Sequence, residues 1–231
     1  MLNNSNYNQH CSSIGVKPLP YRDYCNYEKL WQDYFDNTVI PILKIKKLCC
    51  VRLVLCESCP KPSNNIHPHP NYIFNNLTKT IKWPEDMYLH QIYKGVHCKN
   101  GFIKNLTKKQ ALIDLANHED GPIIIVDLLP THGIRLTSKN RIKVKLNPAK
   151  TLDINKLIDL IKIISKYCPT ALFTIKAIFA TPPSLAESVI ASTIKASIKV
   201  HWDIKTANAG QGHVPSWRAI CQKVKDGFTC S

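Results

Sequence analysis

The chain has 231 residues, of which 44% are hydrophobic and 20% are charged, a composition typical of a folded protein and not of a disordered one. Its 31 Lys and Arg residues outnumber its 16 Asp and Glu residues and give a net charge of +15. A surplus of this sign attracts polyanions, so we expect a nucleic-acid partner, with a membrane surface as the alternative. No apolar run approaches the roughly 18 residues of a membrane-spanning helix, and we expect none.

The ten cysteines raise the question of a disulfide-linked, secreted protein. The opening residues, MLNNSNYNQH, lack the basic and apolar regions of a secretory leader. Cys49, Cys50 and Cys56 lie in or beside an apolar, strand-like run, where a free thiol behaves as a small hydrophobic group. We therefore expect a protein of the reducing cytoplasm.

In chain order, residues 1–24 are polar and contain prolines, which predicts an irregular N-terminal arm before a single α/β domain over 25–231. Apolar residues at helical spacing predict a helix over 27–47, kinked or ended by Pro41. Residues 49–56, CCVRLVLC, are typical of a strand buried on both faces. A loop rich in Pro, Asn and His follows, and then a segment that we expect to be helical, YIFNNLTKTI.

The alternation of strands and helices continues along the chain. Thr107 opens a predicted helix that ends before Gly121, and Asp153 opens an amphipathic helix. The further predicted elements are helices over 107–118, 154–168, 184–196 and 217–226 and strands over 122–127, 171–179 and 197–204.

This alternation predicts a three-layer αβα protein with a central, mainly parallel four-stranded sheet. Ligands of such folds bind at the carboxyl ends of the strands. The loops after the first, second and fourth predicted strands are rich in polar residues, so we expect them to meet at one crevice. Glu57 directly follows the first strand, where a carboxylate in a partly dry crevice can act as a base. Taken alone, an acid in this position is more often a turn cap or an exposed loop residue.

Four segments carry a family resemblance: LVLCESCPKP, NYIFNN, IIIVDLLPTHG and an NAGQGH loop before a helix. In this order they resemble the uracil-DNA glycosylase superfamily over roughly residues 48–225, and most of all its divergent members, in which Glu-Ser/Ala-x-Pro and a Tyr/Phe-rich stretch follow a strand. The resemblance implies a uracil-DNA glycosylase-like fold that takes a base flipped out of DNA and hydrolyses its N-glycosidic bond without a cofactor.

The resemblance also implies roles for individual residues. Glu57 would be catalytic by activating or positioning water, and His213 would be catalytic by facing the leaving base. The residues implied to surround the base are Ser58, Tyr72 or Phe74, and Asp127. The ring of Tyr72 or Phe74 would stack on the base. Asp127 lies where many members of the superfamily place an asparagine that reads the base edge.

Two departures from the family pattern bear on the substrate. Val214 is inserted in His213-Val-Pro-Ser, and Asp127 stands in place of Asn. Ionised Asp only accepts hydrogen bonds, whereas cytosine-type bases present an exocyclic amino donor. We therefore expect a damaged or modified base, including a modified cytosine of phage DNA, and a role either in repair or in antiviral defence.

DNA contacts are expected from basic and polar loop residues, although single lysines more often form a solvated surface. The candidates are Lys61, His67, His69, Lys139, Arg141, Lys143, Gln211 and Ser216. Cys56-x-x-Cys59 with His67-x-His69 has the donors of a zinc site. The expected burial of Cys56 in the first strand argues against a metal, so we expect none. A rigid Pro-rich loop that lines the pocket or grips DNA accounts better for the two histidines.

The predicted function is that of a monomeric, monofunctional DNA glycosylase that leaves an abasic site. Two alternatives stay open: a non-catalytic nucleic-acid-binding module of the same fold, and a nucleoside or nucleotide hydrolase that uses the same crevice. The sequence contains no Gly-x-Ser-x-Gly elbow, no Walker-type phosphate loop and no Gly-x-Gly-x-x-Gly, which disfavours serine hydrolases and dinucleotide-binding folds.

Overall fold

The fold is given by a computed structural model, and its sheet consists of four parallel strands. The structure describes residues 1–46, 48, 50–56, 66–97, 105–134, 136–137, 139–140, 143–144, 153–177 and 200–203. The strands are β1 (Cys50–Cys56), β2 (Ile123–Asp127), β3 (Leu172–Ala177) and β4 (Val200–Asp203). Together with the helices between them, they confirm the prediction of an α/β protein with a parallel sheet.

The strands lie in the order β2-β1-β3-β4, and this order determines where a ligand is expected. From β1 the chain continues to one side of the sheet, to β2, whereas from β3 it continues to the other side, to β4. A ligand is therefore expected at the carboxyl ends of β1 and β3, the topological switch point. Cys56 at the end of β1 pairs in register with Asp127 at the end of β2.

Strands β1 and β2 are buried as predicted. Val51, Leu53, Val54 and Leu55 of β1 have no exposed surface, and neither have residues 123–126 of β2. Because consecutive residues of a strand point to opposite faces, this burial shows that β1 and β2 are covered on both sides.

The α-helices whose bounds lie within the described residues are α1 (Asn4–Ile14), α2 (Tyr21–Tyr34), α3 (Ile40–Ile45), α4 (Met87–His97), α5 (Lys108–Ala116) and α6 (Ile154–Tyr167). Thr107 caps α5 by accepting from Gln110 N–H, and Asp153 caps α6 by accepting from Lys156 N–H, as the sequence predicted.

The prediction of an irregular arm over 1–24 was wrong. Asn3 caps α1 by accepting from Asn6 N–H, and Gly15 ends the helix in the left-handed conformation, with φ 69°. Tyr7, Cys11 and Ile14 are buried and lie on one face of α1 because they follow each other at helical spacing. Abundant polar residues on the other face obscured this narrow apolar stripe.

The helix predicted over 27–47 is present, but it begins at Tyr21 and changes its geometry before Pro41. A π-helical turn, Phe35–Val39, separates α2 from α3. Proline cannot donate a backbone hydrogen bond and its ring crowds the preceding turn. A wider turn accommodates both effects, so the predicted kink takes this form.

The helix predicted for YIFNNLTKTI, residues 72–81, was also wrong, because this segment forms consecutive turns. The buried ammonium group of Lys108 holds the segment by donating to the carbonyls of Tyr72, at 2.8 Å, and Asn75, at 3.2 Å. The same ammonium group lies 3.0 Å from the buried carboxylate of Asp86. A long-range cation therefore satisfies carbonyls that a helix would have used internally.

Replacing Lys108 with Met keeps most of the side-chain volume but removes its charge. The buried Asp86 carboxylate then loses its nearest cation, and we expect the free energy of unfolding in urea to fall by about 3 kcal/mol. Lys109→Met, at the neighbouring exposed lysine, is the control and should change the free energy by less than about 0.5 kcal/mol. Equal stability of the two variants would contradict this account of the 72–81 segment.

Candidate functional site

A buried row of four charged side chains lies at the carboxyl end of β2. We call it the His132 cluster: Asp127, His132, Glu28 and Lys156. Nδ1 of His132 lies 2.8 Å from Oδ2 of Asp127, and its Nε2 lies 2.5 Å from Oε1 of Glu28. Lys156 Nζ donates to both Glu28 oxygens, at 2.9 and 3.2 Å. The order Asp–His–Glu–Lys therefore alternates acidic and basic groups.

This geometry favours the imidazolium form of His132. Nε2 is hydrogen-bonded to Glu28, and Nδ1 lies within ion-pair distance of Asp127. An ionised carboxylate only accepts hydrogen bonds, so a proton on each nitrogen suits these neighbours best. Burial by itself would lower the pKa of His132, but Asp127 and Glu28 together raise it to about 9. Burial would likewise raise the pKa of Glu28, but Lys156 and His132 lower it well below its ordinary value. With all four groups charged, the cluster is neutral overall.

Two helices and one loop bring the cluster together. Tyr24, Tyr27, Glu28 and Trp31 follow each other at helical spacing on the buried face of α2. Lys156 lies in the first turn of α6, and its ammonium group is 4.2 Å from the centre of the Trp31 ring, a cation–π distance. The short loop after β2 returns His132 towards Asp127.

Three tyrosine rings surround the imidazole. Those of Tyr24 and Tyr27 stack on it, with centroids at 6.0 and 5.4 Å, and that of Tyr72 meets it edge to face at 5.5 Å. The Tyr27 hydroxyl accepts from His69 N–H at 2.7 Å and lies 3.1 Å from Nδ1 of His67. The cluster is therefore connected to the loop that begins after the end of β1.

Gly133 is required where it stands in this loop. Its φ is 71°, a conformation that residues with a side chain rarely adopt. A Cβ at this position would collide with the Tyr27 hydroxyl and would lie 2.9 Å from Nδ1 of His67. A side chain at 133 would thus displace the tyrosine that stacks on His132.

Among the described residues predicted to bind the base, Asp127 and Tyr72 both contact His132, and Phe74 packs edge to face on Tyr72, with ring centroids 5.5 Å apart. Asp127 is buried and bound to His132, whose ring Tyr72 contacts. Phe74 is buried against Tyr34, with ring centroids 4.9 Å apart. Neither Tyr72 nor Phe74 has an exposed face, so stacking on a base requires neighbouring groups to move.

The described DNA-binding candidates differ in their exposure. Lys139 is exposed and Lys143 is half-buried, as expected for residues near a surface. His67 is half-buried beside Tyr27, and His69 is buried, its Nδ1 accepting from Asn71 N–H at 3.1 Å. The burial of His69 suits the interior of the loop better than contact with a phosphate. The candidates outside the described residues are Glu57, Ser58, Lys61, Arg141, Gln211, His213 and Ser216.

Sequence reasoning missed Glu28, His132 and Lys156, although two signals were present. Glu28 is an acidic residue on the apolar face that Tyr24, Tyr27 and Trp31 define, and an acid on such a face needs a buried cation. His132 is part of the DLLPTHG segment that carried the family resemblance. No spacing rule connects these residues, because their partners are about 100 positions apart.

The described residues include no group of three or more His, Cys, Asp and Glu side chains placed to hold a metal ion. No helix in the described ranges combines the length and the apolar character needed to cross a membrane. A scan against models of protein families found no match, and searches of curated proteins and of solved structures found none either. The family resemblance therefore depends on the quoted motifs alone.

Gly133→Ala tests the packing of the loop against Tyr27. We expect it to lower the free energy of unfolding by about 3 kcal/mol, because backbone strain and overpacking combine. Gly15→Ala is a matched control, since Gly15 has nearly the same φ, 69°, but its Cβ would meet only the flexible end of Lys143 at 2.9 Å and the Asn140 amide at 3.6 Å. Gly15→Ala should lower the free energy of unfolding by about 1 kcal/mol. Thermal or urea unfolding measures both, and equal losses would argue against a collision with Tyr27.

The raised pKa of His132 predicts a pH dependence of stability. A cation favoured by folding contributes fully below its ordinary pKa of 6.5, and this contribution is lost as pH rises through about 9. The free energy of unfolding of the wild type should therefore fall more steeply between pH 6.5 and 9.5 than that of His132→Gln. The expected difference over this interval is on the order of 3 kcal/mol. Parallel curves for the two proteins would be incompatible with a buried imidazolium.

Proposed function

We propose that this protein is a DNA glycosylase of the uracil-DNA glycosylase type, with a three-layer αβα fold, that hydrolyses the N-glycosidic bond of a flipped-out base. One observation carries the proposal: the register pairs Cys56 with Asp127 at the carboxyl edge of the sheet. Glu57, the proposed catalytic carboxylate, is the next residue in the chain after Cys56. The end of β1, to which Glu57 is attached, therefore lies beside Asp127 and the topological switch point.

The chemistry needs a negative group near the sugar and donors near the base. Cleavage of the bond develops positive charge on the sugar and negative charge on the departing base. Glu57 is proposed to stabilise the sugar cation and to activate the water that attacks C1′. His213 is proposed to donate to the leaving base. The products are the free base and an abasic site, and no cofactor takes part.

The parallel sheet supports convergence of the proposed groups. All four strands end at the same edge, and their spacing of about 4.8 Å puts the end of β4 roughly 14 Å from that of β2. His213 follows Asp203 by about ten residues, a length that reaches up to roughly 33 Å when extended. The last loop can therefore bring His213 to a base held beside Asp127.

Asp127 and Tyr72 are the proposed contacts to the base. The Asp127 carboxylate, paired with His132, accepts hydrogen bonds from an exocyclic amino group, as cytosine-type bases present. Tyr72 is a better candidate for the stacking ring than Phe74 because it already contacts the ring of His132.

DNA is the proposed partner, bound by a monomer in the cytoplasm. The net charge of +15 attracts the phosphate backbone. Lys139 and Lys143 flank Asn140, whose amide donates to the backbone carbonyl of Ile14 at the end of α1. This anchor supports a fixed placement of nearby lysines for phosphate contact.

Glu57→Gln tests the catalytic proposal. We expect it to reduce abasic-site formation at least about 10³-fold while DNA affinity changes by less than about threefold, because the carboxylate acts only in the transition state. Mass spectrometry of bases released from DNA containing uracil, hydroxymethylated cytosine or glucosylated cytosine measures activity. The control is Glu119→Gln, an exposed acid next to Asp120, whose carbonyl contacts Cys50 at the opposite end of β1.

The outcomes separate the alternatives. Base release from DNA that depends on Glu57 and not on Glu119 supports the glycosylase. DNA binding with no abasic sites in any substrate would instead indicate a non-catalytic binding module. Release of base from free nucleosides, equally fast without DNA, would indicate a nucleoside hydrolase.

A further inference from the structure

We propose that His132, held in place by Glu28 and Lys156, is a positioning residue that orients the Asp127 carboxylate as a hydrogen-bond acceptor and thereby selects bases that carry an exocyclic amino group. This inference rests on the proposed function and names the substrate class of the same site. The observation that supports it is the row of four side chains with alternating charge at the carboxyl end of β2.

The Asp127 carboxylate is oriented by His132 and by the sheet. Its Oδ2 lies 2.8 Å from Nδ1 of His132, an ion-pair distance, and its backbone is fixed in the sheet by pairing with Cys56. The plane and rotation of the carboxylate are thus determined by a buried partner. A carboxylate offers about four lone-pair positions, so it can accept from a base while it is bound to His132.

The His132 ring is in turn oriented by Glu28 and Lys156. Glu28 binds its other nitrogen at 2.5 Å, and Lys156 in turn binds Glu28, so helices α2 and α6 hold the imidazole from the side away from β2. A neutral imidazole would turn a lone pair towards one of the two carboxylates, which is repulsive. The two acids therefore favour the form of the ring that carries a proton on both nitrogens.

The orientation of the Asp127 carboxylate determines which bases can pair with it. An acceptor-only group pairs with the amino group at C4 of a cytosine-type base and opposes the carbonyl oxygen that a uracil-type base presents there. The wrong base brings a carbonyl oxygen against lone pairs of the carboxylate that an amino group would fill, which is a stronger basis for rejection than the loss of an apolar contact. A single well-placed contact of this kind discriminates by about tenfold or more.

In the described part of the chain, the titratable and charged groups that face His132 come from four places. They are Asp127 of β2, Glu28, Tyr24 and Tyr27 of α2, Tyr72 of the segment after β1, and Lys156 of α6, which acts through Glu28. Burial, first of all, raises the pKa of Tyr24 far above its ordinary value, so this ring stays neutral. The two carboxylates are therefore the groups that balance the charge on His132.

The experiment compares two DNA substrates that differ only at C4 of one pyrimidine: 5-hydroxymethylcytosine and 5-hydroxymethyluracil. We expect wild-type kcat/KM to favour the cytosine at least about tenfold. His132→Gln should reduce this preference at least fivefold, because Gln can donate to only one of the two acids. Asp127→Asn should reduce it further, since an amide also presents a donor. His90→Gln is the control: His90 is equally buried, lies in α4 and contacts the Trp83 ring in a tilted arrangement.

A purely structural role for His132 would lower both rates together and leave their ratio unchanged, and that result would overturn the inference. A second measurement needs no variant: ¹⁵N NMR of the wild type should show both His132 nitrogens protonated at pH 7. A neutral ring at pH 7 would also overturn it. If the wild type releases neither base nor any other from DNA, the proposed function fails, whereas the NMR result still decides the state of His132.

Discussion

The ion pair between His132 and Asp127 is the interaction on which the candidate site depends. Two carboxylates, Asp127 and Glu28, are buried about one imidazole apart, and such an arrangement is stable only with cations between and beside them. His132 supplies the first cation and Lys156 the second. The left-handed backbone at Gly133 and the tyrosines on α2 follow from the need to seat this imidazole.

The N-terminal helix takes part in this arrangement. Tyr7 of α1 stacks on Tyr24 of α2 at 4.3 Å, and Tyr24 stacks on His132. The Tyr24 hydroxyl also accepts from Leu2 N–H at 2.9 Å. The N-terminal residues, predicted to form a polar arm, are therefore connected by aromatic contacts to His132 after the end of β2, so the candidate site depends on their packing.

Much of the fold followed from local patterns in the sequence. Apolar runs predicted β1 and β2, and the caps Thr107 and Asp153 predicted the starts of two helices, because these signals act over a few residues. The errors came from long-range effects. Lys108 holds residues 72–81 in turns. The narrow apolar stripe of α1 is buried because Tyr24, from another helix, packs on it. Asp127 was found by position and motif, but His132, Glu28 and Lys156 are joined only by tertiary structure.

The central claim is that Glu57 and Asp127 face the same extruded nucleotide. A crystal structure with DNA that contains a non-hydrolysable 2′-fluoro analogue of the cytosine-type substrate tests it most directly. We predict the Asp127 carboxylate within about 3 Å of the exocyclic nitrogen, with Glu57 beneath C1′ of the same nucleotide. A base bound elsewhere on the sheet, or Glu57 and Asp127 facing different crevices, would contradict the account.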